Sequence, residues 1–297
     1  MVLGWPIIFV KGGTNTRAQK ITFIGGDERM LFAAADFASA KVDTSVFGFD
    51  INTARYGNIK NESDLRCALE GAEAVVLPLP YSRDGEKIFA PFSEKGVIIR
   101  EVLEHIPERS VLMGGKLGKD FPRKAVDYYE REDFAILNAV PTAESAVKIA
   151  LEETKLTICG MKAAVLGFGR VGKLLAKTLV ALGADVTVFA RSAEARAWAE
   201  AFFCRAENFG ALLDKIGGFD CIFNTVPHKI ISADELAQAK RGSVMIELAS
   251  APGCINAAEA QKAGIRLISA QSLPGRVTPR TAGRIIYQTI REIMEEI

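Results

Sequence analysis

The stretch MKAAVLGFGRVGKLLAKTLVALGADVTVFARS occupies residues 161–192. It opens with an apolar run, passes through Gly167-Phe168-Gly169-Arg170-Val171-Gly172, and continues at helical spacing. Val171, Leu174, Leu175, Leu179 and Leu182 share one helical face, with Lys173 and Lys177 away from it. Gly183 reads as the helix stop and DVTVFA (185–190) as the next strand. A bare G-x-G-x-x-G is a weak signal, but strand, turn, amphipathic helix and strand together form a dinucleotide-binding fingerprint. Gly167 permits the tight turn, Gly169 lets the backbone approach a pyrophosphate, and Gly172 lets helix and strand close up. The helix N-terminus offers unpaired N–H donors and a favourable dipole to the anion. The coenzyme set read from this turn is therefore Gly167, Gly169, Arg170, Val171 and Gly172. The plain alternative is a turn selected only for helix–strand packing.

Coenzyme choice is read at the end of the second strand. An NAD site usually carries an acidic residue there, bonded to the ribose 2′-hydroxyl. This protein has Ala190-Arg191-Ser192 instead. Arg191 can pair with a 2′-phosphate and Ser192 can donate to it, with help from Arg170, so NADP is expected over NAD. Alternatively, Arg191 is solvated and Ser192 only caps the next helix. Ligands of such folds sit outside the carboxyl ends of the strands. On that ground Thr225, Val226 and Pro227, and Leu248, Ala249 and Ser250, are expected beside the nicotinamide ribose or ring.

Working outward, apolar runs alternate with helical patterns from residue 20 to the end, the sequence form of an α/β protein with parallel sheets. KITFIGG (20–26), TSVFGF (44–49), AEAVVLPLP (72–80), SVLMGG (110–115) and FAILN (134–138) are expected as strands of a first sheet. Pro141 biases Val140 toward extended geometry, and Thr142 is a good N-cap for a helix from Ala143 to about Thr154. After MKAAVLGFG (161–169) and DVTVFA, FDCIFNT (219–225), SVMIEL (243–248) and IRLISA (265–270) supply further strands, with AFFC (201–204) a weaker candidate. The expected fold is two Rossmann-like doubly wound parallel-sheet domains with an interdomain cleft. Residues 20–141 form the flavodoxin- or Rossmann-like substrate domain, and 142–280 the NADP domain. The helical pattern at 281–297 is expected to return to the first domain, by analogy with two-domain dehydrogenases. Gly25-Gly26-Asp27 looks like a second nucleotide turn, but it lacks the third glycine. Asp27 would repel phosphate and reads as a helix cap.

The composition bounds the function. The 297 residues (32.1 kDa) are 49% hydrophobic and 25% charged, ordinary for a globular protein and long enough for two domains. Thirty-seven basic against 36 acidic residues leave a net charge of +1, which argues against nucleic acid and against a polybasic membrane anchor. No uninterrupted apolar run approaches a membrane span. The opening MVLGWPIIFV lacks a basic region and a cleavage site, which argues against a signal peptide and makes residues 1–19 an apparent extension. Cys67, Cys159, Cys204, Cys221 and Cys254 form no CxxC pair, and the histidines are His105 and His228. No metal site is expected, and a reduced, cytoplasmic setting is.

The segments IGGDER (24–29), REDFAILNAVPTAESA (131–146), AAVLGFGRVGKLLAKTLVALGADVTVFARS (163–192), DCIFNTVP (220–227), ELASAPG (247–253) and LPGRVTPRTAG (273–283) carry a resemblance. Together they resemble the family formed by the A subunit of dipicolinate synthase, from about Lys20 to the end. The glycine turn is widely shared, whereas NAVPTAE, ELASAPG and LPGRVTPRTAG are far more specific. Two positions depart from the pattern. Ala251 and Cys254 stand where a basic residue and a second glycine are expected. The resemblance implies a mother-cell role in sporulating bacteria. It implies NADP-dependent oxidation of dihydrodipicolinate, or of a hydroxylated tetrahydro precursor, to dipicolinate, together with the synthase's flavoprotein-like B subunit. A homo-oligomer is also expected.

Such an oxidation needs cations for two carboxylates, donors near the ring nitrogen and a proton acceptor. Arg276, in LPGRVTP, can clamp a carboxylate or be a surface arginine. Asn138 and Thr142 can donate from the domain crossing, and Thr142 is expected to cap a helix there in any case. His228, after Pro227, is a possible proton acceptor. Glu144 can act as a base or simply suit the helix dipole. Gly114, Gly115 and Lys116 can admit substrate or form a plain turn. His105 is expected to be solvated or capping. Two rivals remain. A D-2-hydroxyacid dehydrogenase would carry an arginine after the fifth strand and a late histidine, both lacking here. The other is a nucleotide-binding regulatory protein without its own catalysis.

Overall fold

A computed structural model describes residues 19–250, 253–255 and 257–297. Residues 1–18 of the expected extension, and Ala251, lie outside the described residues. The protein divides into two units. One runs up to Phe134 and adds Pro279–Ile297, and the other is Ala135–Thr278.

In the first unit the order is β1 (Lys20–Ile24), α1 (Glu28–Ser39), β2 (Asp43–Phe47), β3 (Lys60–Glu62), α2 (Leu65–Leu69) and β4 (Ala74–Val76). Then come β5 (Lys87–Ile88), β6 (Val97–Ile98), α3 (Ile99–His105), β7 (Val111–Gly114) and β8 (Val126–Asp127). The main sheet has the order β3-β2-β1-β4-β7-β8, with every pair parallel. Strands β5 and β6 form a separate antiparallel pair. A parallel sheet needs both faces covered, so its central strands are apolar throughout: Ile21, Phe23, Val75, Val76 and Met113 are buried.

Helix α4 (Glu132–Thr154) leads into the second unit, which continues with β9 (Lys162–Leu166), α5 (Arg170–Ala181), β10 (Asp185–Phe189), α6 (Ala193–Ala201) and β11 (Arg205–Glu207). It goes on through α7 (Leu212–Lys215), β12 (Cys221–Asn224), α8 (Ala233–Gln238), β13 (Val244–Glu247), α9 (Ala257–Lys262), β14 (Arg266–Ser269) and α10 (Leu273–Val277). The sheet order is β11-β10-β9-β12-β13-β14, again all parallel. Counted along the sequence, each main sheet reads 3-2-1-4-5-6, the doubly wound order of dinucleotide-binding folds. Leu175 and Leu179 of α5 bury against this sheet's core. Burial of each stabilises the unit by roughly 1.5–3 kcal/mol. Gly183 (φ +85°) ends the helix as expected, with the Ala184 N–H donating back to the Leu179 carbonyl.

The last helix, α11 (Pro279–Glu296), belongs to the first unit and packs on α1. A Cβ on Gly283 would lie 2.5 Å from the Arg29 carbonyl, so glycine there sets how closely the helices meet. The Phe37 and Tyr287 rings meet edge to face at 4.7 Å.

The structure corrects several expectations. FAILN (134–138) is not a strand but the second turn of α4, which runs unbroken through Pro141. Glu132 and Asp133 supply negative charge to its first turn. Thr142 is therefore no N-cap, because it sits mid-helix with its hydroxyl donating to the Asn138 carbonyl at 2.8 Å. Pro141 is buried, and Ala143, Ala146, Val147 and Ala150 join the second unit's core. By length and composition α4 could cross a membrane, yet this apolar face is spent on that core. The first sheet closes with β8 rather than near residue 138. AFFC belongs to the end of α6 and the turn after it, with the strand starting at Arg205.

Candidate functional site

The second unit's sheet reverses its order between β9 and β12, so the crevice of this fold opens at the carboxyl ends of those strands. Gly167 follows β9 at φ +92°, and a Cβ there would lie 2.6 Å from Thr225 Oγ1. Only glycine accepts both the left-handed backbone and that approach. A Cβ on Gly172 would lie 2.3 Å from the Gly167 carbonyl. Gly169 differs, since a Cβ on it would meet nothing within 4 Å. It caps α5 with no side-chain acceptor and with no acidic residue in the first turn. The backbone N–H groups of Arg170, Val171 and Gly172 thus begin a twelve-residue helix beside open space. That is the donor set a pyrophosphate needs, and it fits the dinucleotide implied by the turn.

The corresponding turn of the first unit is closed. Asp27 caps α1, accepting from the Arg29 N–H, and pairs with the buried Arg29 guanidinium at 2.8 Å. Arg29 Nη2 also donates to the Leu79 carbonyl, while Gly26 N–H is taken by the Phe89 carbonyl at 2.7 Å. A carboxylate already occupies the position an anion would take.

After β10, Ala190 is buried, and Arg191 and Ser192 are exposed. Ser192 caps α6, its Oγ accepting from Ala195 N–H at 3.1 Å, so the capping role does hold. Its own O–H proton remains able to point outward. Arg196 was not expected. Its Nη1 donates to the carbonyls of Ala190 (3.0 Å) and Arg191 (2.8 Å), fastening the loop from below.

After β12, Thr225 N–H and Oγ1 both donate to the Leu166 carbonyl, each at 2.9 Å, tying the strand end to the glycine turn. Pro227 and His228 are exposed. After β13, Leu248 N–H donates to the Asn224 carbonyl at 2.9 Å, Ala249 is buried, and Ser250 is exposed. Beneath these loops lies a second feature the sequence did not announce. Asn224 and Glu247 are buried together, with Asn224 Nδ2 donating to Glu247 Oε1 at 2.7 Å. Burial, and secondarily the Glu247 charge, push the neighbouring Cys254 thiol well above its ordinary range.

Along 94% of its length the protein is 31% identical to the A subunit of dipicolinate synthase from Bacillus subtilis (strain 168), covering 96% of that protein. The chain belongs to the dipicolinate synthase A-subunit family. The A subunit solved from Bacillus halodurans superposes with a TM-score of 0.83 at 30% identity, covering 94% of this protein and 98% of that one. The A subunit solved from Bacillus subtilis gives 0.82 at 29% identity, covering 96% and 98%. Residues 20–132 match the family model for the N-terminal domain of the A subunit of dipicolinate synthase. Residues 142–259 match that of the NAD-binding domain of D-isomer-specific 2-hydroxyacid dehydrogenases. The second unit is therefore a dehydrogenase-type NAD-binding domain, and its coenzyme class is a nicotinamide dinucleotide.

Within this family member the remaining candidates fall on separate elements. Arg276 is exposed on α10, and Asn138 is half-buried in the middle of α4. Glu144 is exposed on α4, twelve positions after its start rather than in a first turn. Lys116 (φ +60°) lies over the Tyr129 ring, and its N–H bonds Asp127, so the Gly114–Lys116 stretch is a carboxylate-tied turn. His105 accepts from Arg66 Nε at 3.1 Å. Among the described residues no group of three or more His, Cys, Asp or Glu could hold a metal ion.

Proposed function

We propose that this protein is the oxidising component of a dipicolinate synthase. It uses NADP to convert dihydrodipicolinate, or a hydroxylated tetrahydro precursor after loss of water, to dipicolinate. It works with a flavoprotein-like B subunit in the mother-cell cytoplasm of a sporulating bacterium, as a homo-oligomer. The observation that carries the reading is the 31% identity over 94% of the sequence to the A subunit of a dipicolinate synthase. The open glycine turn at Gly169 supports the coenzyme half of it.

When bound, the coenzyme supplies a hydride acceptor. The protein's part is to bind, orient and manage a proton. The N–H groups of Arg170, Val171 and Gly172 hold the pyrophosphate, which Gly167 and Gly169 allow to approach. Arg191 would pair with the 2′-phosphate, with the Ser192 hydroxyl as a further donor. Thr225, Val226 and Pro227, with Leu248, Ala249 and Ser250, flank the nicotinamide ribose. Arg276 grips a substrate carboxylate through its planar guanidinium. His228 accepts the proton released as the ring becomes aromatic. Aromatisation drives the step, so positioning is most of the work. Asn138 and Thr142 contribute polar groups from α4, the Thr142 hydroxyl doing so as an acceptor because its proton is given to the Asn138 carbonyl.

The test is turnover of freshly generated dihydrodipicolinate with NADP or NAD, with and without the B subunit. One NADP reduced for each dipicolinate formed is the expected result. Coenzyme binding without turnover until the B subunit is added identifies an enzyme that needs its partner. No reduction of either coenzyme in any combination contradicts the proposal.

A further inference from the structure

Glu247 is an expensive residue for its position. It is 7% exposed at the end of β13, and among the described residues no cation pairs with it. A buried carboxylate without a counter-charge is strongly disfavoured unless hydrogen bonds replace its water. Here neutral donors do so. Oε1 accepts from Asn224 Nδ2 (2.7 Å) and Ala249 N–H (3.0 Å), and Oε2 from Cys254 N–H (2.8 Å). One carboxylate thus ties down both ends of the segment from Ala249 to Cys254. Gly253 has φ +79°, and a Cβ there would lie 3.0 Å from Glu247 Oε2, so the backbone runs close against the carboxylate.

Asn224 extends the clamp to the neighbouring loop. It is fully buried, its Oδ1 accepts from Val226 N–H at 3.0 Å, and its Nδ2 donates to the Val226 carbonyl at 2.9 Å. The side chains of two adjacent strand ends therefore set the backbone of both loops that follow them. We propose that Glu247, acting through Asn224, is the positioning residue that fixes the Thr225–Pro227 and Leu248–Ser250 loops around the nicotinamide end of the coenzyme. This rests on the coenzyme reading above. The pyrophosphate turn and the Arg191 loop receive no hydrogen bond from either side chain, so the adenosine end should not depend on the pair.

That division gives a test that a purely structural role would not pass. The full-length protein is titrated with NADPH, followed by the fluorescence gain of the bound nicotinamide, and separately with 2′,5′-ADP, which lacks the nicotinamide half. Glu247→Gln turns one accepted hydrogen bond into a clash of donors. It is expected to weaken NADPH by about tenfold or more and reduce the fluorescence gain, with 2′,5′-ADP affinity within about twofold. Arg191→Asp is expected to weaken both ligands, because both carry the 2′-phosphate, while leaving the fluorescence gain of the NADPH that does bind unchanged. If Glu247→Gln does not fold, Gly253→Ala carries the test, since it keeps the charge and presses a methyl against it. The same split then supports the proposal. Equal loss of both ligands, or no change in either, in folded Glu247→Gln or Gly253→Ala overturns it. Wild-type protein that binds neither ligand overturns the coenzyme reading and this inference together. Wild-type protein that binds both, with Glu247→Gln unchanged, overturns this inference alone.

Discussion

Glycines 169 and 172 stand three residues apart and fail in opposite ways. A side chain on Gly169 points into open space, whereas one on Gly172 collides with the Gly167 carbonyl at 2.3 Å. Gly169→Val should therefore melt within a few degrees of the parent, its only structural cost being the ~1 kcal/mol of a poorer helix cap. It should lose measurable coenzyme binding. Gly172→Ala should unfold at clearly lower temperature, by roughly 2 kcal/mol or more. Thermal melts paired with coenzyme titrations check both. Arg191→Asp replaces a cation with a charge that repels a 2′-phosphate and suits a ribose 2′-hydroxyl. It should move the NADP/NAD preference toward NAD by roughly ten- to a hundredfold, read as a ratio of Kd values. An unchanged ratio would contradict the assignment. Gly167 and Gly172 were legible because backbone geometry within six residues demands them, and Gly169 because the turn they frame has a set spacing. Arg196 and the Asn224–Glu247 pair were not. Arg196 acts through carbonyls, which every residue has, and Asn224 and Glu247 meet across two strands although 23 positions separate them.

At the scale of elements, α4 is the main misreading. A short apolar run before a proline fits a strand and a helix equally well, and periodicity over five residues cannot separate them. Helix α4 accepts Pro141 because packing buries it, which no local rule foresees. Its first turn is tied to α11. Arg131, just before α4, bonds Asp133 at 2.8 Å and Glu296 at 2.7 Å. These hydrogen bonds hold the Asp133 and Glu296 carboxyls below their ordinary values, while burial and then the Asp133 charge raise Glu292. For Asp133 and Glu296 the sign is that of a depressed acid. Their contribution is present above the unfolded pKa, near 4, and is lost as pH falls through the lower folded value. Arg131→Ala should lower Tm by about 1–3 °C at pH 7, because the pairs are largely exposed. The difference from the parent should vanish as pH falls below 4. A difference that persists in acid would mean that packing, not charge, joins the two helices.

For the molecule as a whole, one strand order is used twice with two outcomes. In the second unit the turn after the first strand ends in a helix whose glycine cap brings no side-chain acceptor, beside open space. In the first unit, Asp27 and the buried Arg29 fill the equivalent place. The sequence showed this much directly, through a third glycine in one turn and an aspartate in the other. It did not show where the first sheet ends, because β8 is a two-residue strand with no pattern of its own. Each molecule should accordingly bind one dinucleotide, not two.

Calorimetric titration of the wild-type protein with NADPH and NADH measures this directly. The account predicts one site per molecule and NADPH at least about tenfold tighter than NADH. Two sites per molecule, a preference for NADH, or no heat with either coenzyme at millimolar concentration would contradict it.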